Sequence, residues 1–137
     1  MLLHERLEGM NWAIGKGATA RLLGAVEPPT ESAKAKLFGR ADQFYSVLLA
    51  GTKAEARRKG LCSALVRHYQ GIAAESGLPI FLETHSERAL RLYTRSGFEI
   101  VENTLTGKGT CDANGRKEEG GPGITGWALL WRPTTPS

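Results

Sequence analysis

The pattern of apolar and polar positions is clearest between residues 44 and 100. Residues 44–50 are apolar at both odd and even positions, which is typical of an interior strand covered on both faces. Residues 61–76 repeat apolar side chains every three or four positions, so they predict a helix that ends at Gly77. The apolar residues 80–82 predict a second interior strand. A strand, a helix and a strand in this order favour parallel neighbours joined by a right-handed crossover.

The pattern beyond residue 83 predicts another helix and two further strands. Thr84 with Glu87 resembles a capping box for a helix that ends at Gly97, and Ser86 is the alternative cap. Residues 98–105 and 124–131 are expected to pair as antiparallel strands. The polar, glycine-rich residues 107–123 between them are typical of a mobile or ligand-binding loop. Together these elements predict a mixed α/β fold.

The first 43 residues carry weaker signals. A helix is expected over residues 31–38, capped by Thr30, and no clear pair of strands accompanies it. We therefore divide the chain into an atypical amino-terminal segment (1–43), one main domain (44–133) and a short disordered tail (134–137).

Composition narrows the class of protein without identifying its function. The chain has 137 residues and a net charge of +4, which favours anionic partners but does not separate nucleic acid from a phosphorylated cofactor. Cys62 and Cys111 lie far apart and form no CxxC motif, so a reduced compartment is expected. There is neither a secretory signal nor an apolar stretch long enough to span a membrane. These features predict a cytoplasmic or nucleocytoplasmic location and no membrane contact.

A basic loop at residues 57–60 (RRKG) stands directly before the predicted helix 61–76. The free N–H groups and the dipole at the start of a helix attract phosphate. Gly60 allows the backbone to approach a ligand closely, and arginine binds phosphate oxygens bidentately. The loop therefore predicts a phosphate site, with a solvated basic loop as the alternative.

Two motifs stand at fixed spacing in the main domain. The first is Arg57-x-x-Gly60-x-Cys62, and the second is Ser86-x-x-Ala89-x-x-Leu92-Tyr93-x-x-x-Gly97-Phe98. Together they resemble the GNAT superfamily of acyltransferases, especially its members from filamentous fungi. The resemblance covers roughly residues 40–133. It implies a GNAT-like mixed β-sheet with flanking helices, in which the amino-terminal strands are short or missing and strands 44–51 and 80–83 are splayed.

The resemblance implies transfer of an acetyl group from acetyl-CoA to a primary amine, on a small molecule or a peptide. The backbone at the end of strand 44–51 would bind pantetheine and polarise the acetyl carbonyl, while the basic loop would hold the pyrophosphate. The implied cofactor-binding residues are Ala50, Gly51, Thr52, Arg57, Arg58, Lys59, Gly60, Leu61, Cys62, Ser63 and Ser86. No metal site is implied.

Two residues are expected to carry the proton transfers. Tyr93 matches the family tyrosine that protonates the departing thiolate; the alternative is a core aromatic whose hydroxyl bonds a backbone group. Glu83, at the end of the second strand, is the candidate base for the amine, and the alternative is an outward or helix-capping carboxylate. His85 is a second candidate base.

The short segment before residue 44 leaves other interpretations open. If this is the full protein, the edge of the strand at 44–50 is expected to be covered by the amino-terminal segment or by a second subunit in a homodimer. The other interpretation is a truncated or decayed member of the family. The alternative function is an inactive GNAT-like protein that binds CoA or a protein partner. A nucleic-acid binder is disfavoured because aromatic side chains are not interleaved with the basic residues.

Overall fold

A computed structural model describes residue 13 and residues 15–21 and 27–134 of the chain. Four helices and four strands lie in this part. The helices are α1 (Lys16–Arg21), α2 (Glu27–Leu37), α3 (Leu61–Ser76) and α4 (Glu87–Arg95), with a 3-10 turn at Ala54–Ala56. The strands are β1 (Tyr45–Val47), β2 (Ile80–Thr84), β3 (Glu99–Thr106) and β4 (Ile124–Trp131).

The strands form one mixed sheet in the order β1-β2-β4-β3. β1 and β2 are parallel, as predicted, and α3 is the crossover between them. β4 runs antiparallel to both β2 and β3. In the described residues before β1 there are two helices and no strand.

Strands β2 and β4 carry apolar residues at both odd and even positions, so apolar side chains lie on both faces of the sheet. Helices cover each face. On one face, Ile80, Leu82 and Leu129 pack with residues of α3 and α4. On the other face, Phe81 and Leu130 pack against α2. Helix α2 therefore contributes to the core, although it precedes the domain boundary expected at residue 44.

Glycine and serine set the ends of α3 and α4. Gly77 adopts a φ of +66° after α3, so the helix ends where the sequence predicts. The Ser86 hydroxyl accepts a 3.3 Å hydrogen bond from the Ala89 N–H, which makes Ser86 the cap of α4. Thr84 instead accepts a 3.2 Å bond from the Ser86 N–H, so the capping box predicted at Thr84 is wrong.

The first predicted strand differs most from the structure. β1 has three residues and lies at the sheet edge, paired with β2 alone in the described chain. Leu48 and Leu49 are 89% and 92% exposed. The expectation of an interior strand over residues 44–50 is therefore wrong, since this apolar run leaves the sheet halfway and lines an open groove instead.

Two further segments correct the sequence analysis. α2 begins at Glu27, so Thr30 lies inside the helix and is not its cap. Pro28 is tolerated near this start because the first N–H groups of a helix have no intrahelical partner. The predicted loop 107–123 folds back on itself, with hydrogen bonds from Gly109 N–H to Gly121 O (2.7 Å) and from Gly120 N–H to Gly109 O (3.0 Å).

None of the helices in the described ranges combines the length and the apolar character that crossing a membrane would need.

Candidate active site

The sheet opens between β1 and β2. Their last paired residues are Val47 and Leu82, whereas β2 continues to Thr84 in its pairing with β4. Residues 48–52 extend from β1 without a strand partner, and none of their N–H groups donates a hydrogen bond within the described structure. The predicted splay of these two strands is thus present, and it presents a row of free backbone donors.

A cavity of about 480 Å³ lies beside this opening, on the face of the sheet covered by α3 and α4. Its walls are mostly apolar. They include Leu48, Leu49 and Ala50 from the extension of β1, Cys62 and Leu65 from α3, Leu82 from β2 and Tyr93 from α4. An apolar, partly enclosed space of this kind suits the uncharged part of a ligand.

Tyr93 is the polar group that α4 directs into this cavity. The residue is only 8% exposed, and its ring packs edge-on against Phe98 with centroids 5.6 Å apart. Within the described residues its hydroxyl makes no hydrogen bond, which argues against a purely structural bond to the backbone. Burial, with a smaller contribution from Cys62, raises the pKa of Tyr93 above its ordinary value. The hydroxyl therefore stays protonated at neutral pH.

Glu83 occupies a different place from Tyr93. It pairs with Ala128 on β4, and strand alternation puts its side chain on the face of Phe81, opposite Leu82. It does not line the cavity that contains Tyr93. The structure thus places the two predicted proton carriers on opposite faces of β2, near its open end.

His85 lies beyond the end of β2, with its ring above Gly126 of β4. A Cβ at residue 126 would stand 2.9 Å from His85 Nε2 and 2.7 Å from the Thr104 hydroxyl oxygen. Thr104 is 6% exposed, and its hydroxyl has no partner in the part of the chain that the structure describes. The second candidate base is therefore held against the sheet beside a buried hydroxyl.

The basic loop before α3 presents a continuous run of backbone donors. Arg58 and Gly60 both have positive φ, at 63° and 72°. Among the described residues, the N–H groups of residues 58–63 donate no hydrogen bond, and the first bond of α3 runs from Ala64 N–H to Gly60 O at 3.0 Å. Such an array at a helix start binds anions. A Cβ on Gly60 would meet nothing within 4 Å, so the positive φ of this residue, and not crowding, favours glycine here.

The side chains of the basic loop play different parts. Arg57 Nε donates a 3.2 Å hydrogen bond to the Thr52 carbonyl and so ties the end of the β1 extension to the loop. Arg58 and Lys59 are exposed and make no ion pair with any described residue. Their charges remain available to an anion.

A smaller groove of about 210 Å³ adjoins the cavity and extends to Leu61 at the start of α3, directly after the basic loop. It shares Ala50, Cys62 and Leu65 with the cavity. Five of the residues predicted to bind the cofactor line it: Ala50, Gly51, Thr52, Leu61 and Cys62. The structure therefore brings the strand end and the helix start into one path.

Two predicted cofactor residues lie outside this path. Ser86 is engaged as the cap of α4. Ser63 lies on another side of α3, in a depression with Arg67 and Arg95. Sequence reasoning missed both arginines, although the spacing of residues 63 and 67 places them on one helix face.

Comparison with known proteins agrees with this geometry. Residues 33–98, just under half of the chain, match the model of the acetyltransferase (GNAT) family. Among curated protein sequences no significant match is found.

The chain is similar in structure to arylalkylamine N-acetyltransferase 2 from Aedes aegypti, with a TM-score of 0.64, 14% identity and coverage of 98% of this chain and 62% of that one. It is also similar to Arabidopsis thaliana NAA60 in complex with acetyl-CoA, with a TM-score of 0.55, 18% identity and coverage of 76% and 59%.

The ribosomal-protein-S18-alanine N-acetyltransferase of Escherichia coli gives a TM-score of 0.52 at 17% identity, with coverage of 67% of this chain and 56% of that one. This chain thus spans less than two thirds of the length of each of these structures. The likeness shows a GNAT-like mixed α/β fold.

Proposed function

We propose that the chain is an N-acetyltransferase that moves the acetyl group of acetyl-CoA to the primary amine of an acceptor. The observation that carries this proposal is the path formed by the cavity at the buried, unbonded hydroxyl of Tyr93 and the adjoining groove, which reaches Leu61 at the start of α3. The N–H groups of residues 58–63 at this helix start make no hydrogen bond in the described structure. The path has an anion-binding end and an apolar end, as a pyrophosphate joined to an acylated pantetheine requires.

The pyrophosphate would bind at the start of α3. The backbone donors of residues 58–63 face solvent, and the positive φ of Arg58 and Gly60 shapes the turn that presents them. Arg58 and Lys59 add positive charge without carboxylate partners in the described part of the chain. Arg57 supports the loop through its bond to Thr52.

The pantetheine arm and the thioester would lie along residues 48–52. Beyond Val47 the extension of β1 has no strand partner, so its N–H groups are free. The pantetheine arm would accept hydrogen bonds from them in place of a neighbouring strand. One of these donors, directed at the thioester carbonyl, would stabilise the negative charge of the tetrahedral intermediate. The exposed side chains of Leu48 and Leu49 offer apolar contacts to the arm.

Tyr93 would protonate the leaving thiolate. When the amine nitrogen attacks the thioester carbon, the carbon–sulfur bond breaks and the sulfur takes the proton of the hydroxyl. The raised pKa of Tyr93 lies above the ordinary range of a thiol. The hydroxyl therefore holds its proton before the reaction, and transfer of that proton to the thiolate needs a favourable local electrostatic field.

Glu83 would accept the proton lost by the amine. Since its side chain lies on the opposite face of β2 from Tyr93, the acceptor would reach the thioester through the opening beyond Val47. His85 is the second candidate base and is exposed near the end of the same strand. This arrangement separates the path of the acceptor from the path of the cofactor.

The proposal is tested by titrating acetyl-CoA into the folded chain by calorimetry and then measuring CoA release with a thiol reagent across a panel of primary amines. Micromolar binding, roughly −8 kcal/mol, with amine-dependent release of CoA is the expected result. Binding without release under any amine would favour the alternative, an inactive GNAT-like protein that binds CoA or a protein partner. A folded chain that binds no acetyl-CoA would reject the proposal.

A further inference from the structure

An open depression of about 550 Å³ lies between α3 and the end of α4, outside the cavity and groove described above. Its lining is polar and comprises Ser63, Arg67, Gln70, Arg95, Ser96 and Gly97. Two arginines from different helices thus face one space, and no carboxylate lines it.

Arg67 and Arg95 are both exposed, and neither forms an ion pair with any described residue. Two guanidinium groups beside one depression repel each other, because no negative charge of the protein lies between them. An anion placed there would remove this repulsion and accept hydrogen bonds from both groups. The charge pattern therefore favours a ligand with its own concentrated negative charge.

The walls of the depression are held together by a specific contact. Gln70 Nε2 on α3 donates a 2.7 Å hydrogen bond to the carbonyl of Ser96, directly after α4. The Ser96 hydroxyl in turn donates to the Leu92 carbonyl at 2.9 Å. The backbone positions that carry the two arginines are thus fixed relative to each other, which lowers the ordering cost of binding between them.

The depression lies next to the basic loop. Ser63 belongs to the first turn of α3, three residues after Gly60. Arg67 follows one turn later, about 10 Å along the helix from Gly60 at 1.5 Å per residue. Side chains on a helix lean toward its amino terminus, so Arg67 is directed back toward the loop.

We propose that Arg67 and Arg95, with the hydroxyl of Ser63, bind the 3′-phosphate of coenzyme A. This inference rests on the proposed function. Coenzyme A carries a pyrophosphate and, on the adjacent ribose, a separate phosphate monoester. The basic loop supplies a site for the first group, and the depression supplies a second anion site with bidentate donors, about 10 Å further along α3.

The test compares CoA with 3′-dephospho-CoA by calorimetry, using the whole chain. The unmodified protein is expected to bind CoA roughly tenfold more tightly than dephospho-CoA. Arg67→Gln and Arg95→Gln should each weaken CoA binding and reduce this ratio toward one, with little change in the affinity for dephospho-CoA. Arg40→Gln is the matched control, since it removes the same charge from the exposed turn after α2 and should keep the ratio.

Equal affinity of the unmodified protein for the two ligands would overturn the inference and leave the proposed function intact. An unchanged ratio in both arginine variants would also overturn it. Failure of the folded protein to bind either ligand would reject the proposed function and this inference together, so the two failures are distinguishable.

Discussion

Val47 and Leu82 form the last residue pair between the parallel strands β1 and β2, while Thr84 at the end of β2 still pairs with Trp127 of β4. The sheet is therefore intact on one side of β2 and open on the other. The opening places free backbone donors, an apolar cavity and the hydroxyl of Tyr93 beside the same strand end.

Replacing Tyr93 with phenylalanine should lower turnover about 100-fold or more, because the leaving thiolate would lose its proton donor. Affinity for acetyl-CoA should change little, since the ring and its contact with Phe98 remain. Steady-state kinetics with calorimetry would separate the two effects. Tyr69→Phe is the comparison, because it removes a hydroxyl from a half-exposed tyrosine that lines the same cavity, and it should lower turnover much less. Unchanged turnover in Tyr93→Phe would reject the acid role.

The same substitution should change how stability depends on alkaline pH. Burial raises the pKa of Tyr93 in the folded chain above the ordinary value of 10.0. Above that value the unfolded chain loses a proton that the folded chain keeps, so the free energy of unfolding falls as pH rises toward the folded pKa. Below it this group contributes no pH dependence.

Urea unfolding at about pH 9 and about pH 11 would measure this effect. The fall in unfolding free energy between the two pH values should be smaller in Tyr93→Phe than in the unmodified protein. Equal falls in the two proteins would contradict a raised pKa at this site.

Local patterns in the sequence were enough to find the end of α3 at Gly77 and the turn at Gly60 that precedes the helix, because both depend on a few neighbouring residues. The apolar run at Leu48 and Leu49 was misleading. A groove that receives an apolar ligand has the same composition as a buried strand, and only the pairing of the strands distinguishes them.

Contacts between distant elements were harder to predict. The depression at Arg67 and Arg95 depends on how α3 packs beside the end of α4, through the bond from Gln70 to Ser96. No local pattern encodes that contact. The opposite placement of Leu82 and Glu83, in contrast, follows from strand alternation alone.

Replacing Arg58 with glycine should have opposite effects on stability and on acetyl-CoA binding. Its φ of 63° is unfavourable for a residue with a Cβ, at a cost of about 1 kcal/mol. Arg58→Gly removes this strain, so the free energy of unfolding should stay constant or rise by up to about 1 kcal/mol, after the entropy cost of glycine is subtracted. Affinity for acetyl-CoA should fall, because a charge beside the pyrophosphate is lost.

Arg57→Gly is the matched control for stability. Arg57 has an ordinary φ of −71°, and its side chain bonds the Thr52 carbonyl. The same change at this neighbouring position should therefore lower the free energy of unfolding by about 1 kcal/mol. Denaturant unfolding of both variants measures the contrast, and equal losses of stability would show that Arg58 is not strained.

Gly126→Ala should destabilise the fold and displace His85. The added Cβ would lie 2.6 Å from the Cδ2 atom of the imidazole and 2.7 Å from the hydroxyl oxygen of buried Thr104. Since both groups would have to move, the free energy of unfolding should fall by about 1–3 kcal/mol. Urea unfolding measures the cost directly.

Repeating Gly126→Ala in a His85→Ala protein separates the contact with His85 from the contact with Thr104. In His85→Ala the imidazole is absent, so the cost of adding Gly126→Ala should be smaller than in the unmodified protein, which gives a non-additive double-mutant cycle. Gly71→Ala is the control, because a Cβ there meets nothing within 4 Å. It should leave stability unchanged or raise it by up to about 1 kcal/mol through helix propensity. Full additivity of the two changes would show that the ring of His85 does not rest on Gly126.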